Sequence, residues 1–116
     1  MTQVYLTQCG SFTASHGHSG TLAEESHTHT FTYEVTFHGP LNKEGYLIDF
    51  RVLRDFLSHA IDEQLHEADL NKLFSNPTTE ALAIWIFDII GKHFPQIYSV
   101  KVAEAPDRWI IYKGEN

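Results

Sequence analysis

Along residues 27–37, HTHTFTYEVTF, the side chains alternate in character: His27, His29, Phe31, Tyr33, Val35 and Phe37 fall on one side, and Thr28, Thr30, Thr32, Glu34 and Thr36 on the other. A period of two is that of a β-strand with one buried face. Upstream, Val4, Leu6, Phe12, Ala14 and His16 share a phase, which predicts a first strand over 4–16. The Gly/Ser-rich segment 17–26 folds it back antiparallel to the second strand at 27–37, so that His16 comes opposite His27 and His29. His38-Gly39-Pro40 ends the second strand, because proline cannot donate to a ladder and glycine lets the chain turn, and 41–45 reads as a turn.

The period then changes. Leu53, Phe56, Leu57, Ala60, Ile61 and Leu65 recur three and four residues apart, predicting an amphipathic helix over 50–65 with Asp49 as its N-cap. Residues 66–71 read as its irregular exit. Asn76-Pro77-Thr78-Thr79-Glu80 is a second start signal, with a capping side chain, a first-turn proline and an acid at the positive end of the dipole. The helix it opens, 78–90, is apolar nearly all round and so the more buried of the two, with Gly91 as its C-cap. Strands at 97–104 and 108–113 follow, separated by the turn residues Ala105-Pro106-Asp107.

The order β-β-α-α-β-β predicts an α+β fold, a four-stranded antiparallel sheet with two helices on one face. No linker, repeat or low-complexity segment splits the 116 residues, so 1–116 reads as a single domain. The sheet has two open edges, which are liabilities unless covered or paired. Pairing them between subunits predicts a ring-like homo-oligomer with pockets where subunits meet.

Composition narrows the function. Fifteen aromatic residues place the chain among globular proteins, and no apolar run approaches the roughly 20 residues of a membrane span. The start of the chain lacks a signal-peptide pattern, and the single cysteine, Cys9, fits a reducing compartment; a cytoplasmic location is expected. A net charge of −7 with only eight scattered Lys and Arg argues against nucleic-acid binding.

The candidate chemistry lies in the histidines. Three neutral imidazoles on adjacent strands form the ligand set that zinc uses when its fourth position is open to water or substrate. Two alternatives stand beside this reading: a chance His-x-His in a chain with eight histidines, and a zinc that only pins two strands.

Several ordered stretches resemble the 6-pyruvoyl-tetrahydropterin synthase and 6-carboxytetrahydropterin synthase family, zinc enzymes of the tunnelling fold. FTASH is similar to the family's first ligand motif and HTH to its HGH pair. GYLIDFRVLR is similar to its GxxxDFxxLK stretch, and DLN to the end of its LDHxxLN segment. NPTTEALA matches its NPTxExxA helix start, and VAEAP its final strand ending in glutamate. The resemblance implies a Zn²⁺ ion held by His16, His27 and His29. It also implies a pterin held by Thr78, Thr79, Glu80 and Glu104, a homo-oligomer that is hexameric by analogy, and a lyase acting on the side chain of 7,8-dihydroneopterin triphosphate or a close relative.

Two departures shape the expected reaction. The family's usual catalytic cysteine, four residues before the HxH pair, is Ala23 here. Glu24 follows it and resembles a branch in which glutamate replaces cysteine and the side chain is cleaved to a 6-hydroxymethylpterin; Glu25 is a neighbouring substitute. Where relatives read Asp-His in LDHxxLN, this chain has His66-Glu67, and Asp62, four residues earlier, is positioned to orient His66 on a continuing helix. The catalytic candidates are therefore Glu24, His66 and Asp62. Products open at this point are the 6-pyruvoyl, the 6-carboxy (queuosine pathway) and the 6-hydroxymethyl pterin, and the rival is a family member that binds zinc and a pterin without catalysis. His18 lies in the loop near the expected metal, where it would meet phosphate.

Overall fold

The computed structural model describes residues 2–18 and 24–115, without the side chains of residues 18 and 24. Four antiparallel strands, β1 (Gln3–His18), β2 (Glu24–Pro40), β3 (Ile97–Ala105) and β4 (Arg108–Tyr112), lie side by side in chain order. Both strand pairs are hairpins, so the sheet needs no crossover within either half, and the helical segment spans the gap between β2 and β3.

Strand phase decides what is buried. Phe12 and Ala14 of β1, Phe31, Tyr33, Val35 and Phe37 of β2, and Val100 and Val102 of β3 are all buried, while their alternate neighbours, apart from the small Ala103, are partly or fully exposed. Phe12 and Phe31 face each other in register and stack at 5.2 Å between centroids. Each such side chain contributes about 1.5–3 kcal/mol on leaving water. Tyr33 is the unusual member. It pairs across the ladder with Gly10, where an added Cβ would stand 2.3 Å from the phenol oxygen, so only glycine leaves room for the ring.

The helices cover this one face. Asp49 caps α1 (Phe50–Leu57), its carboxylate accepting from the Arg51 amide. A π turn (Ser58–Asp62) and a short α2 (Glu63–Leu65) continue the same rod. Its buried residues Leu53, Leu57, Ile61 and Leu65 are spaced by four. In an unbroken α-helix each such step drifts by about 40°. The slower winding of the π turn, marked by the Glu63 amide donating to the Ser58 carbonyl, takes up that drift and keeps the four on the sheet.

The predicted irregular exit contains a further element, α3 (Leu70–Leu73), capped by Asp69. The last helix, α4 (Thr79–Gly91), starts where the cap signal placed it, with the Thr78 hydroxyl accepting from the Ala81 amide at 3.1 Å, and buries Leu82, Ala83, Ile86 and Ile90. It runs through Gly91, and Lys92 takes the C-cap position expected for the glycine. None of these helices is long and apolar enough to cross a membrane.

Candidate metal centre and substrate cleft

His16 pairs directly with His27 across the β1–β2 ladder, and His29 lies two residues further along the same face. The ring centroids are 4.9 Å (16 to 27), 5.2 Å (16 to 29) and 4.3 Å (27 to 29) apart, all edge to face. One nitrogen from each ring can be chosen so that all three lie within 4.8 Å of one another. His16 is fully buried and the only polar side chain in the core among the described residues, whereas His27 and His29 are half-buried. The cluster thus has a closed back and an open front.

Two backbone carbonyls set the tautomers. His16 Nδ1 lies 2.7 Å from the Pro77 oxygen, and His27 Nδ1 lies 2.8 Å from the Glu25 oxygen. A carbonyl only accepts, so each Nδ1 carries the proton and each Nε2 of the neutral ring presents a lone pair. Donating the second ring N–H to an oxygen is how proteins orient metal-binding imidazoles. The donor set and its tautomers therefore fit a zinc ion.

Glu104 completes the surroundings. It follows Val100 and Val102 in phase along β3, and its Oε2 stands 3.2 Å from His16 Nε2 and 3.7 Å from His29 Nε2. Glu104 also lines, with Thr79, Glu80, Arg108, Trp109 and Ile110, a cleft of about 230 Å³. The structure thus brings together three of the four residues expected to hold substrate. The fourth, Thr78, adjoins them as the N-cap of α4. Arg108 and Trp109 were not anticipated; the signal in the sequence is a large aromatic placed just after the turn residues Ala105-Pro106-Asp107, and the structure leaves it half exposed. A larger cavity of about 670 Å³ lies along the other end of β1, lined by residues such as Tyr46, Phe50 and Arg54, but none of the convergent imidazoles borders it.

The outer edge of β1 beside His16 is covered. The Glu67 amide donates to the Thr13 carbonyl (2.5 Å) and the Ser15 amide to the Ala68 carbonyl (3.0 Å). The Asn71 side chain then takes over from the backbone: its Oδ1 accepts from the Gly17 amide at 2.7 Å and its Nδ2 donates to the Gly17 carbonyl at 3.1 Å. Asn71 clips the strand end that carries His16, a role its sequence position did not reveal.

The expected Asp62–His66 pair is not what the structure shows. The helix ends at Leu65, and His66 has extended backbone (ψ 128°), so four-residue spacing no longer stacks the two side chains. Asp62 instead accepts from the Tyr33 hydroxyl at 2.7 Å, and the Tyr33 phenol is pushed well above its ordinary value by burial and by that carboxylate. His66 Nδ1 accepts from the Thr13 amide at 3.3 Å, leaving Nε2 of the neutral ring protonated and 3.9 Å from Glu67. The ring meets the sheet edge at Thr13, which lies three strand residues, roughly 10 Å along β1, from His16. Glu24 opens β2, but its side chain, like that of His18, lies outside the described residues; Glu25 is exposed.

A four-stranded antiparallel sheet backed on one face by helices, with three imidazoles at one end of its longest hairpin, defines the class. The family model for 6-pyruvoyl tetrahydropterin synthase matches residues 5–115, and the chain belongs to that family. A dihydroneopterin monophosphate aldolase from Pyrococcus furiosus is 41% identical over 85 residues, 73% of each chain. Among solved structures, the 6-pyruvoyl tetrahydropterin synthase of Caenorhabditis elegans superposes with a TM-score of 0.87 at 20% identity, covering 99% of this chain and 98% of that one. A Plasmodium vivax synthase whose catalytic glutamate was changed to alanine superposes at 0.80 with 14% identity, covering 97% and 98%.

Proposed function

We propose that the protein is a zinc-dependent lyase that cleaves the side chain of a phosphorylated 7,8-dihydroneopterin, releasing a 6-hydroxymethyl-7,8-dihydropterin. The observation that carries this reading is the convergence of His16, His27 and His29, two of them oriented by backbone carbonyls, beside the cleft that Thr79, Glu80 and Glu104 share. The similarity to an aldolase and the glutamate at position 24, where Ala23 stands in place of a thiol, support cleavage over the 6-pyruvoyl or 6-carboxy outcome.

His16, His27 and His29 would hold the zinc, which supplies Lewis acidity to a hydroxyl of the substrate side chain. Glu80 and Glu104 suit the pterin because a carboxylate accepts two parallel hydrogen bonds from a ring N–H and its amino group, and the hydroxyls of Thr78 and Thr79 stand at the same helix start. Glu24 takes the proton from the side-chain hydroxyl, with Glu25 as its neighbour. The adjacent carbon–carbon bond breaks, its electron pair enters the conjugated ring, and the fragment that leaves is a phosphorylated two-carbon aldehyde. A proton returned to the carbon left on the ring completes the hydroxymethyl group, and His66 Nε2, which stands at the sheet edge away from its own subunit's imidazoles, is the donor we assign at a pocket formed where subunits meet. Asp62 serves by holding the helix end through Tyr33. Subunits joining through the uncovered far half of β1 and through the edge of β4 would form the homo-oligomeric ring, a hexamer by analogy, in the cytoplasm.

The test is incubation of the zinc-loaded protein with 7,8-dihydroneopterin monophosphate and triphosphate, followed by chromatography of the pterins. The hydroxymethyl product is expected, with turnover lost in His27→Ala and reduced about 10²- to 10⁴-fold in Glu24→Gln. A 6-pyruvoyl or 6-carboxy product would refute the cleavage, and tight pterin binding without turnover would make the protein a binding module.

A further inference from the structure

Beyond the three imidazoles, and resting on their reading as zinc ligands, we propose that Glu104 is a fourth metal donor in the resting protein and leaves the metal when substrate arrives. The Glu104 Oε2 is buried and accepts no hydrogen bond among the described residues. It nevertheless stands 3.2 Å from His16 Nε2 and 3.7 Å from His29 Nε2. His16 Nδ1 is committed to the Pro77 carbonyl, so the neutral ring aims a lone pair at an anionic oxygen. Two lone pairs at that separation repel unless a positive charge lies between them, which a proton on Nε2 or a metal ion supplies.

The spacing fits such a cation. Donors about 2.1 Å from a tetrahedral zinc stand roughly 3.4 Å from one another, and the two carboxylate-to-imidazole distances fall on either side of that value. Three neutral nitrogens and one carboxylate oxygen make a complete four-donor shell, with one negative charge to offset the two of the ion. Glu104 is also a wall of the cleft that contains Thr79, Glu80 and Trp109. The same carboxylate therefore serves both halves of the site, and a pterin that claims it for its ring N–H groups vacates a metal position at the moment the side chain needs one. The resting centre is closed, and the ligand itself opens it.

The experiment uses full-length wild type, E104Q and E104A, stripped of metal and titrated with Zn²⁺ against a chromophoric chelator; circular dichroism verifies that each variant is folded. E104Q is expected to bind zinc about 10- to 100-fold more weakly than wild type, and E104A at least as weakly as E104Q. With Co²⁺ in place of zinc, the visible absorption of wild type should differ from that of E104Q, and adding 7,8-dihydroneopterin should shift the wild-type spectrum. Equal zinc affinity and one common Co²⁺ spectrum in wild type and E104Q would overturn the role of Glu104 while leaving the three-histidine site intact. A wild-type protein that takes up neither ion would overturn the metal centre itself.

Discussion

The two ends of the β1–β2 ribbon carry histidines in very different circumstances. At one end His16, His27 and His29 stand edge to face, and two of them are tied through Nδ1 to carbonyls. At the other, His38 lies almost flat on Tyr5, 4.3 Å between centroids and 22° between planes, with Tyr98 edge-on to the same phenol. The backbone differs as well. Residues 67–71 cover the outer edge of β1 from Thr13 to Gly17, whereas the far half of β1 is the sheet's own margin. An imidazole becomes a metal donor by having one nitrogen committed and its strand held still; alternation along a strand supplies neither condition.

The largest contrast should come from removing one ring at each end. His29→Ala is expected to reduce bound zinc from one equivalent to none, measured by elemental analysis, while His38→Ala keeps the full equivalent; equal losses would dissolve the distinction between the ends. Next comes the clip. Asn71→Ala strands the Gly17 amide and carbonyl at a cost of about 1–3 kcal/mol. It should speed hydrogen exchange at Gly17 without touching amides near His38, and weaken zinc about tenfold by loosening His16; unchanged exchange at Gly17 would count against the clip.

The smallest effect belongs to the middle of the ribbon, where Tyr33 meets Asp62. Tyr33→Phe should cost about 1 kcal/mol at neutral pH. Because the folded phenol titrates above its ordinary value of 10.0, the unfolded chain loses its proton first. The stability that Tyr33 contributes is therefore fully present below pH 10 and declines as pH climbs beyond it. Chemical denaturation of both proteins at neutral and alkaline pH measures this, and Tyr33→Phe should show a shallower alkaline decline.

Much of this was legible from side-chain spacing. The phase of β1 and β2 foretold the burial of Phe12, Phe31 and Phe37 and the meeting of His16 with His27, because a period of two leaves no choice of face once one face is apolar. Asp49 and Thr78 marked their helices, because a cap is a local device. The π turn was hidden, since residues spaced by four read as an ordinary helix until their angular drift is counted. Asp62 and Asn71 were misread or missed for a shared reason: their partners, Tyr33 and Gly17, lie 29 and 54 residues away. Trp109 and Arg108 gained meaning only when the β3–β4 hairpin swung them beside Glu80.

Pro77 and Thr78 are consecutive, yet one steers the imidazole of His16 and the other starts α4. A single peptide unit would thus be the fulcrum on which the proposed ion and organic ligand both lean. Anything that tilts it, whether a bulkier neighbour or an occupant of the cleft, should therefore register in both affinities at once.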